Sequence, residues 1–286
     1  MRGRTLLVAG TAAAVLALAG CGPTNITGTA APQGHRTQSS NQGGKPASTV
    51  ADLGAAVRHG ATQHNSVHVT MAMSVPGLGS INSTGDMVFR PSVAEHLTMA
   101  MPSVGDMEMV LVNGTMYMKL PAALAGPLGE TGKPWTRFDL SGDNPVAQSL
   151  GSTADLADQV DPAKLIQQIA AAGTITRVTH DAVNGVPTTH YAITVDVAKM
   201  ATSLSGNPAE QQAQRELAEH GVRTVPFDVW VDADNLPVRV VTHVAYAEPA
   251  TGQSAQVTVT INYTDWGKPV TITAPPADQV GSLGGH

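Results

Sequence analysis

The chain has 286 residues, 42% of them hydrophobic and 13% charged, so it can bury a sizeable core and is not a disordered polyampholyte. Its formal net charge of −6, without a basic block, argues against a nucleic-acid partner and against electrostatic adhesion to anionic lipid. The single cysteine, Cys21, excludes an intramolecular disulfide framework and a cysteine-based zinc site. Because only 3% of the residues are aromatic, the core must be built from aliphatic side chains and methionine.

The N-terminus has the three parts of a secretory signal peptide. Arg2 and Arg4 supply the positive region, residues 6–18 are almost purely apolar, and two small residues precede Cys21. The apolar stretch is shorter than the roughly 20 residues that span a bilayer, which disfavours an uncleaved membrane anchor. We therefore predict a signal peptide over residues 1–20. The alternative is an ordinary secretion signal followed by a chance cysteine.

The four residues Leu18-Ala19-Gly20-Cys21 resemble a bacterial lipobox. The resemblance implies that the Cys21 sulfur receives a diacylglycerol with palmitate-type chains, and that a signal peptidase cuts the chain before Cys21. Two long acyl chains anchor a protein stably where one does not. The following residues are rich in Gly, Pro, Ser, Thr, Asn and Gln and lack apolar periodicity. Segment 21–48 is therefore predicted to be an acylated cysteine with a flexible tether.

A single folded domain is predicted over residues 49–274, with a C-terminal tail over 275–286. Apolar residues at helical spacing predict a helix from Thr49 to about His64, which Gly54 and Gly60 should weaken.

Apolar and polar residues then alternate with period two, as is typical of an antiparallel sheet that is covered on one face. Asn113-Gly114 predicts a type I′ hairpin turn between two of these strands. The apolar members of the alternation are Val67, Val69, Met71, Met73, Val75, Met87, Phe89, Leu97, Met99, Met101, Met107, Met109, Leu111, Met116, Met118 and Leu120.

A helix is predicted in the middle of the chain, where Asp161-Pro162 is a favourable start and Gly173 a C-terminal stop. Strands return around a second hairpin turn at Asn184-Gly185, and the run that contains Tyr191 continues to Val197. A polar helix is expected over 207–220, and the last strand over 270–274. About ten strands and three or four helices make the predicted class α+β. The apolar stripe of the middle helix consists of Leu165, Ile166 and Ile169.

This layout is similar to that of the LppX/LprG-type lipoproteins of the actinobacterial envelope and, more distantly, the LolA-like carriers. The similarity covers nearly all of residues 49–280. The phrases that carry it are "VNGTMYMKL" at 112–120, "NGVPTTHYAITV" at 184–195, "FDVWVDADNLPVRV" at 227–240 and "YTDWGKPVTITAPP" at 263–276.

The resemblance implies a strongly curved antiparallel half-barrel whose concave face is covered by helices. It also implies an apolar cavity between sheet and helices that binds the acyl chains of envelope lipids or lipoglycans. The family has no fixed catalytic set. Only the acylated Cys21 and the inward-facing character of the strands can therefore be carried over.

Methionine is unusually concentrated in the chain: nine of the eleven methionines lie between Met71 and Met118. Methionine is unbranched and adaptable, and it recurs on surfaces that fit varied apolar partners. Three interpretations remain open. The side chains fill a core, or they line a lipid cavity, or their thioethers bind Cu(I). The ten histidines are scattered, with His59, His64 and His68 as the nearest group, so we predict no metal site.

No enzyme motif accompanies these features: the chain has no GxSxG elbow, no HExxH and no cysteine placed for nucleophilic attack. The expected function is a non-enzymatic lipoprotein without a cofactor, on the outer face of the cell membrane. It would carry or present an acylated lipid or glycolipid, with a possible envelope transport partner protein. The alternatives are a ligand-free envelope scaffold of the same fold and a methionine-rich copper-binding module. The predicted cavity residues are Val69, Met71, Met73, Met87, Phe89, Leu97, Met99, Met101, Met107, Met109, Met116, Met118, Leu165, Ile166 and Ile169.

Overall fold

A twelve-stranded mixed sheet dominates the protein, and few helices accompany it. The computed structural model describes residues 45–75, 79–101, 104–121, 132–139, 162–203, 221–247 and 254–282. The predicted signal peptide, Cys21 with most of its tether, and the polar helix expected over 207–220 lie outside these residues. The strands are β1 (Ser66–Val75), β2 (Gly79–Val88), β3 (Ala94–Met101), β4 (Gly105–Val112), β5 (Thr115–Lys119), β6 (Trp135–Asp139), β7 (Gly173–Val183), β8 (Val186–Asp196), β9 (Thr224–Val231), β10 (Pro237–Ala247), β11 (Ser254–Thr264) and β12 (Val280–Ser282).

The strand order across the sheet is β12-β6-β5-β4-β3-β2-β1-β11-β10-β9-β8-β7. Every neighbouring pair is antiparallel except β12 and β6, which run parallel. The sheet is open and not strongly curled, so the strong half-barrel curvature that the resemblance implied is not observed. An alternating pattern determines which side chains share a face, whereas curvature depends on bulges and twist that the pattern does not encode.

The C-terminal part differs from the prediction. No strand forms over 270–274, where three prolines at 269, 275 and 276 flank or follow the segment and supply no N–H for a ladder. Instead, a 3₁₀ turn at Ala277–Gln279 leads into β12, which lies within the segment predicted as a tail. The three residues of β12 are too few for a period-two pattern to be visible in the sequence.

Three α-helices are described: α1 (Val50–Ala61), α2 (Pro162–Ala170) and α3 (Val197–Ser203). Helix α1 begins where expected, because the Thr49 hydroxyl accepts a hydrogen bond from the Asp52 backbone N–H at 3.0 Å. A Cβ on Gly60 would lie 2.6 Å from the Asp234 carbonyl oxygen. Gly60 therefore allows α1 to approach the β9–β10 turn closely, a role that helix propensity does not reveal.

Helix α3 replaces the expected continuation of a strand through Val197. Strand β8 ends at Asp196, whose carboxylate accepts a hydrogen bond from the Lys199 backbone N–H at 2.9 Å and so caps the new helix. Val197 packs in a small cluster with Val222 and Val225.

Both Asn-Gly hairpin turns form as predicted. Asn113 and Gly114 have φ angles of 52° and 71°, and Asn184 and Gly185 have φ angles of 52° and 82°. Left-handed backbone at both central positions defines the type I′ turn, which matches the twist of the strands that it joins.

The main core lies between one part of the sheet and the two helices α1 and α2. Its fully buried side chains are mostly branched aliphatic residues from α1, α2, β1 and β8–β11, with two tyrosines. They include Val50, Leu53, Val57, Val67, Val69, Ile166, Ile169, Tyr191, Ile193, Val195, Val229, Val231, Val240 and Tyr263.

Candidate functional site

The strand register places all nine methionines of β1–β5 on one face of the sheet, because directly opposed residues of antiparallel strands share a face. One cross-strand row runs Met71, Ser83, Met99, Met107. The next row runs Val69, Gly85, Leu97, Met109, Met118. A third row runs Val67, Met87, Glu95, Leu111, Met116.

Burial along this face is graded. In the third row Met87 and Met116 are only 2% exposed and Glu95 is fully buried, so this end of the face is closed. The seven side chains that we call the methionine face are partly exposed instead. They are Met73, Leu97, Met99, Met101, Met107, Met109 and Met118.

The structure separates fourteen of the fifteen predicted cavity residues into two groups, while Met116 is buried but belongs to neither. One group belongs to the core under α1 and α2 or packs against it: Val69, Met71, Met87, Phe89, Leu165, Ile166 and Ile169. Among the described residues, the side chains of the methionine face do not join that core. Helix α2 packs mainly against α1, so its apolar stripe covers the core and not the methionine face. Met71 lies at the border between the two groups.

Two features of this face were missed. Glu95, Leu97 and Met99 are alternate residues of β3, so their side chains point to the same face of the sheet. The alternation in the sequence therefore already indicated a carboxyl group among apolar side chains. On β2, Ser83 and Gly85 occupy the same face between larger neighbours. A Cβ on Gly85 would lie 2.0 Å from the His96 carbonyl oxygen and 2.6 Å from the Leu97 side chain, so only glycine fits there.

The opposite face of the sheet is polar, and its described residues include three histidine–carboxylate pairs. A ring nitrogen of His68 lies 2.8 Å from an Asp86 carboxylate oxygen. The corresponding distances are 3.0 Å between His96 and Glu108 and 2.6 Å between His190 and Asp228. The remaining polar groups on this face give it the character of a solvated surface.

Glu108 has the clearest electrostatic environment on the polar face. Partial burial acts to raise the pKa of its carboxyl group, but hydrogen bonds from His96 and Lys119 outweigh burial, and the pKa is lowered. Lys119 Nζ lies 3.3 Å from Glu108 Oε2. The carboxylate is therefore ionised at neutral pH and paired across β3–β5.

A depression of about 370 Å³ lies mainly on the polar face, with Met71 and Ser83 of the other face also in its lining. Threonine and asparagine side chains line it, including Thr70, Asn82, Thr84, Thr98 and Asn262, with Asp106 at one side. Met71, Ala72 and Ala100 also line it, so the depression presents apolar as well as polar groups.

In the described part of the chain, no three His, Cys, Asp or Glu side chains come together as a metal site would require. His68 instead pairs with Asp86, and His64 packs edge-on against Trp266.

None of the helices within the described ranges is long and apolar enough to cross a bilayer.

Comparison with known proteins gives similarity without a family assignment. No family model matches the chain. A Streptomyces griseus protein, described as an uncharacterized 31.2 kDa protein in the rplA-rplJ intergenic region, is 32% identical over 167 residues. That match covers 56% of this chain and 51% of the relative, so the chain spans about half the length of the curated relative it matches.

Several solved structures resemble the fold loosely. LprF from Mycobacterium bovis is 18% identical, with a TM-score of 0.46, and the match covers 81% of this chain and 99% of LprF. The lipoprotein LppX from Mycobacterium tuberculosis is 16% identical, with a TM-score of 0.44 and coverage of 78% and 99%. A LolA superfamily protein from Nitrosomonas europaea is 9% identical, with a TM-score of 0.28 and coverage of 81% and 97%.

Proposed function

We propose that the protein is a lipid-anchored protein of the extracytoplasmic membrane face that binds an acylated lipid or glycolipid and carries or presents it. The single observation that supports this proposal is the methionine face. Seven long, apolar side chains lie together on one sheet face and remain partly exposed, while the same face is closed by helices farther along the sheet. A contiguous apolar surface of this kind is typical of a binding site.

The chemistry of the methionine face suits acyl chains. Methionine has three rotatable bonds and a polarizable thioether, so a surface of methionines adapts to partners of different shape. An acyl chain that leaves a bilayer for such a surface moves between two apolar environments. The net free energy of transfer is therefore small, and exchange is reversible.

Binding of this kind requires no reaction of the ligand. The proposed activity is non-covalent, and the barrier to exchange is the passage of acyl chains through water. A membrane anchor at Cys21 would hold the methionine face near the bilayer and shorten that passage. A transport partner protein in the envelope would complete the same route.

The ligand-free scaffold is the competing function, and it differs in one measurable property. A scaffold would keep the methionine face filled by the protein's own side chains. Copper binding by the methionine thioethers is the third possibility, and it predicts a metal stoichiometry and no bound lipid.

Native mass spectrometry tests the three possibilities on the full chain, purified in mild detergent from an actinobacterial host. We expect a bound lipid mass that organic solvent removes. Bound copper would support the third possibility, and a bare protein mass would contradict the lipid proposal.

A matched pair of variants locates the lipid on the sheet. Met99→Lys places a charge on the methionine face, and Ala100→Lys places the same charge one residue farther along β3, on the opposite face. We expect lipid to be lost from Met99→Lys and retained by Ala100→Lys, with both variants folded by circular dichroism. Equal lipid content in the two variants would exclude the methionine face as the site.

The anchor is tested separately by Cys21→Ser in the full chain. We expect the variant to leave the membrane fraction, since a hydroxyl does not replace the thiol as acyl acceptor. A variant that still fractionates with membranes would contradict anchoring through Cys21 and leave the lipid-binding test unaffected.

A further inference from the structure

The two edges of the sheet differ in length and exposure. At one edge, β12 has three residues, and a very short edge strand offers little backbone to another chain. At the other edge, β7 runs for eleven residues from Gly173 to Val183, with a register shift between Ile175 and Arg177 that leaves residues 177–183 as the regular part. Thr174 and residues 176–182 are all exposed, and within the described residues no strand pairs with the outer side of β7.

An exposed edge of this length presents a row of backbone N–H and C=O groups to which another strand can add. Proline and lysine, two residues that discourage such pairing, do not occur in β7. Val178 is 37% exposed near its centre, and its apolar side chain would lose contact with water on pairing.

We propose that β7 pairs antiparallel with β7 of a second copy of this chain, in the register that places Thr179 opposite Thr179 of the partner subunit. The register follows from charge. Arg177 then faces Asp181 of the partner subunit, and by symmetry the same ion pair forms twice.

The side chains concerned point to the same face. Arg177, Thr179 and Asp181 lie opposite Ala192, His190 and Thr188 of β8, and these alternate positions share one side of the sheet. Cross-strand neighbours on one face lie about 5 Å apart at Cβ, within reach of an arginine–carboxylate pair.

Asp181 is held in place as an ionised partner. Its carboxylate accepts hydrogen bonds from the Ala182 backbone N–H at 2.7 Å and from Trp230 Nε1 at 3.2 Å. These two hydrogen bonds lower the pKa of the Asp181 carboxyl group.

Two other registers are disfavoured by the same charges. A pair centred on Arg177 would set two arginines opposite each other, and a pair centred on Asp181 would set two carboxylates opposite each other. Like charges directly opposed destabilise a strand pair. One edge strand on each side buries less surface than a standard stable interface, so the dimer should be weak and concentration-dependent.

Cysteine crosslinking tests the register in the full chain. Cys21 is the only native cysteine and is kept, so that the protein retains its proposed anchor, and the wild-type chain reports any crosslinking through Cys21 itself. Thr179→Cys would place two thiols across the symmetry axis, and we expect a disulfide-linked dimer on mild oxidation of intact cells. Thr174→Cys is the matched control on the same strand. It lies five residues from the axis and should remain monomeric. Equal crosslinking of both variants, or of neither, would overturn the proposed register.

Charge reversal tests the ion pairs by sedimentation of the full chain in detergent. Arg177→Asp and Asp181→Arg alone each set like charges opposite one another, and each should raise the dissociation constant about tenfold or more. A mixture of the two variants restores both ion pairs in a heterodimer, and the double variant restores them in a homodimer. Recovery in neither case, or a wild-type chain that stays monomeric at high concentration, would overturn the proposal.

Discussion

The apolar face of the sheet has two parts, which differ in the type of their side chains and in how far these are buried. Under α1 and α2 the sheet contributes mainly Val, Ile and Tyr, and most of these side chains are at most 3% exposed. On the methionine face six of the seven side chains are unbranched methionines, and all seven remain partly exposed. The helix-packed part is thus a finished core, whereas the methionine face retains apolar surface in contact with water.

Side-chain stiffness explains why each part has its own residues. Val and Ile have restricted χ1 rotamers, so they pack in one defined arrangement against a fixed partner. Methionine adopts many arrangements at little cost, which suits a surface whose partner changes or leaves. The partly exposed methionines are thus suited to a partner that changes, whereas the buried Met87 fills the core like its branched neighbours.

The largest difference between the two parts is expected in the free energy of unfolding when one side chain of each is truncated to alanine. Leu53 is fully buried between α1 and the sheet, so Leu53→Ala should lower the free energy of unfolding by about 2–5 kcal/mol. Met107→Ala on the methionine face should cost less than about 2 kcal/mol, because its side chain is already partly in water. Urea denaturation measures both variants. Equal losses would show that the methionine face is as tightly packed as the core.

Adding a methyl group at Gly85 should cause the next largest loss in the free energy of unfolding. Gly85→Ala should cost about 1–3 kcal/mol, because the new methyl group meets the His96 carbonyl oxygen, a backbone atom, as well as the Leu97 side chain. Ser80→Ala on the same strand is exposed and should change stability by less than about 0.5 kcal/mol. Thermal unfolding compares the two, and a neutral Gly85→Ala would contradict the close approach of β2 and β3.

Replacing methionine with the branched side chain of leucine should weaken ligand binding more than it lowers the free energy of unfolding. Met99 and Met107 are directly opposed, and replacing both with leucine should alter the free energy of unfolding by less than about 1.5 kcal/mol. Affinity for a fatty acid with a fluorescent polyene chain should fall several-fold, since leucine adapts less well than methionine. Met200→Leu makes the same change in the helix-packed core and should leave that affinity unchanged. Unchanged affinity in the double variant would remove the argument from side-chain flexibility.

The smallest effect is expected from charge on the polar face. The pKa of Glu108 is lowered in the folded protein, so the stability that its carboxylate contributes is present above the unfolded value of about 4.3. That contribution is lost as pH falls through the lower, folded value. Glu108→Gln should therefore be less stable than wild type at pH 7, by less than about 1 kcal/mol, and this difference should vanish in acid. A difference that persists unchanged to low pH would contradict the ionised pairing with His96 and Lys119.

Local patterns in the sequence predicted much of the fold correctly. The Asn-Gly pairs gave both hairpin turns, Thr49 capped α1, and the alternation from Val67 to Met118 placed the methionines on one face. Each of these features depends on residues close in sequence, whose geometry is set by backbone preference and side-chain period.

Features that depend on contacts between distant segments were not predictable in the same way. The parallel pairing of β12 with β6 joins Val280 to Trp135, two short segments without a pattern of their own. The glycine at position 60 matters because a distant turn approaches it, not because of helix propensity. The sheet's lack of strong curl likewise reflects the whole set of strand pairings.

The sequence by itself determined which side chains share a sheet face, because a strand alternates its side chains with a strict period of two. Only the tertiary structure decided where on that face the helices lie. Placement of α1 and α2 depends on how their apolar stripes fit the branched residues of β8–β11, and this shape complementarity arises only when segments far apart in the chain meet. The division between a packed core and a partly exposed methionine face is a result of that placement.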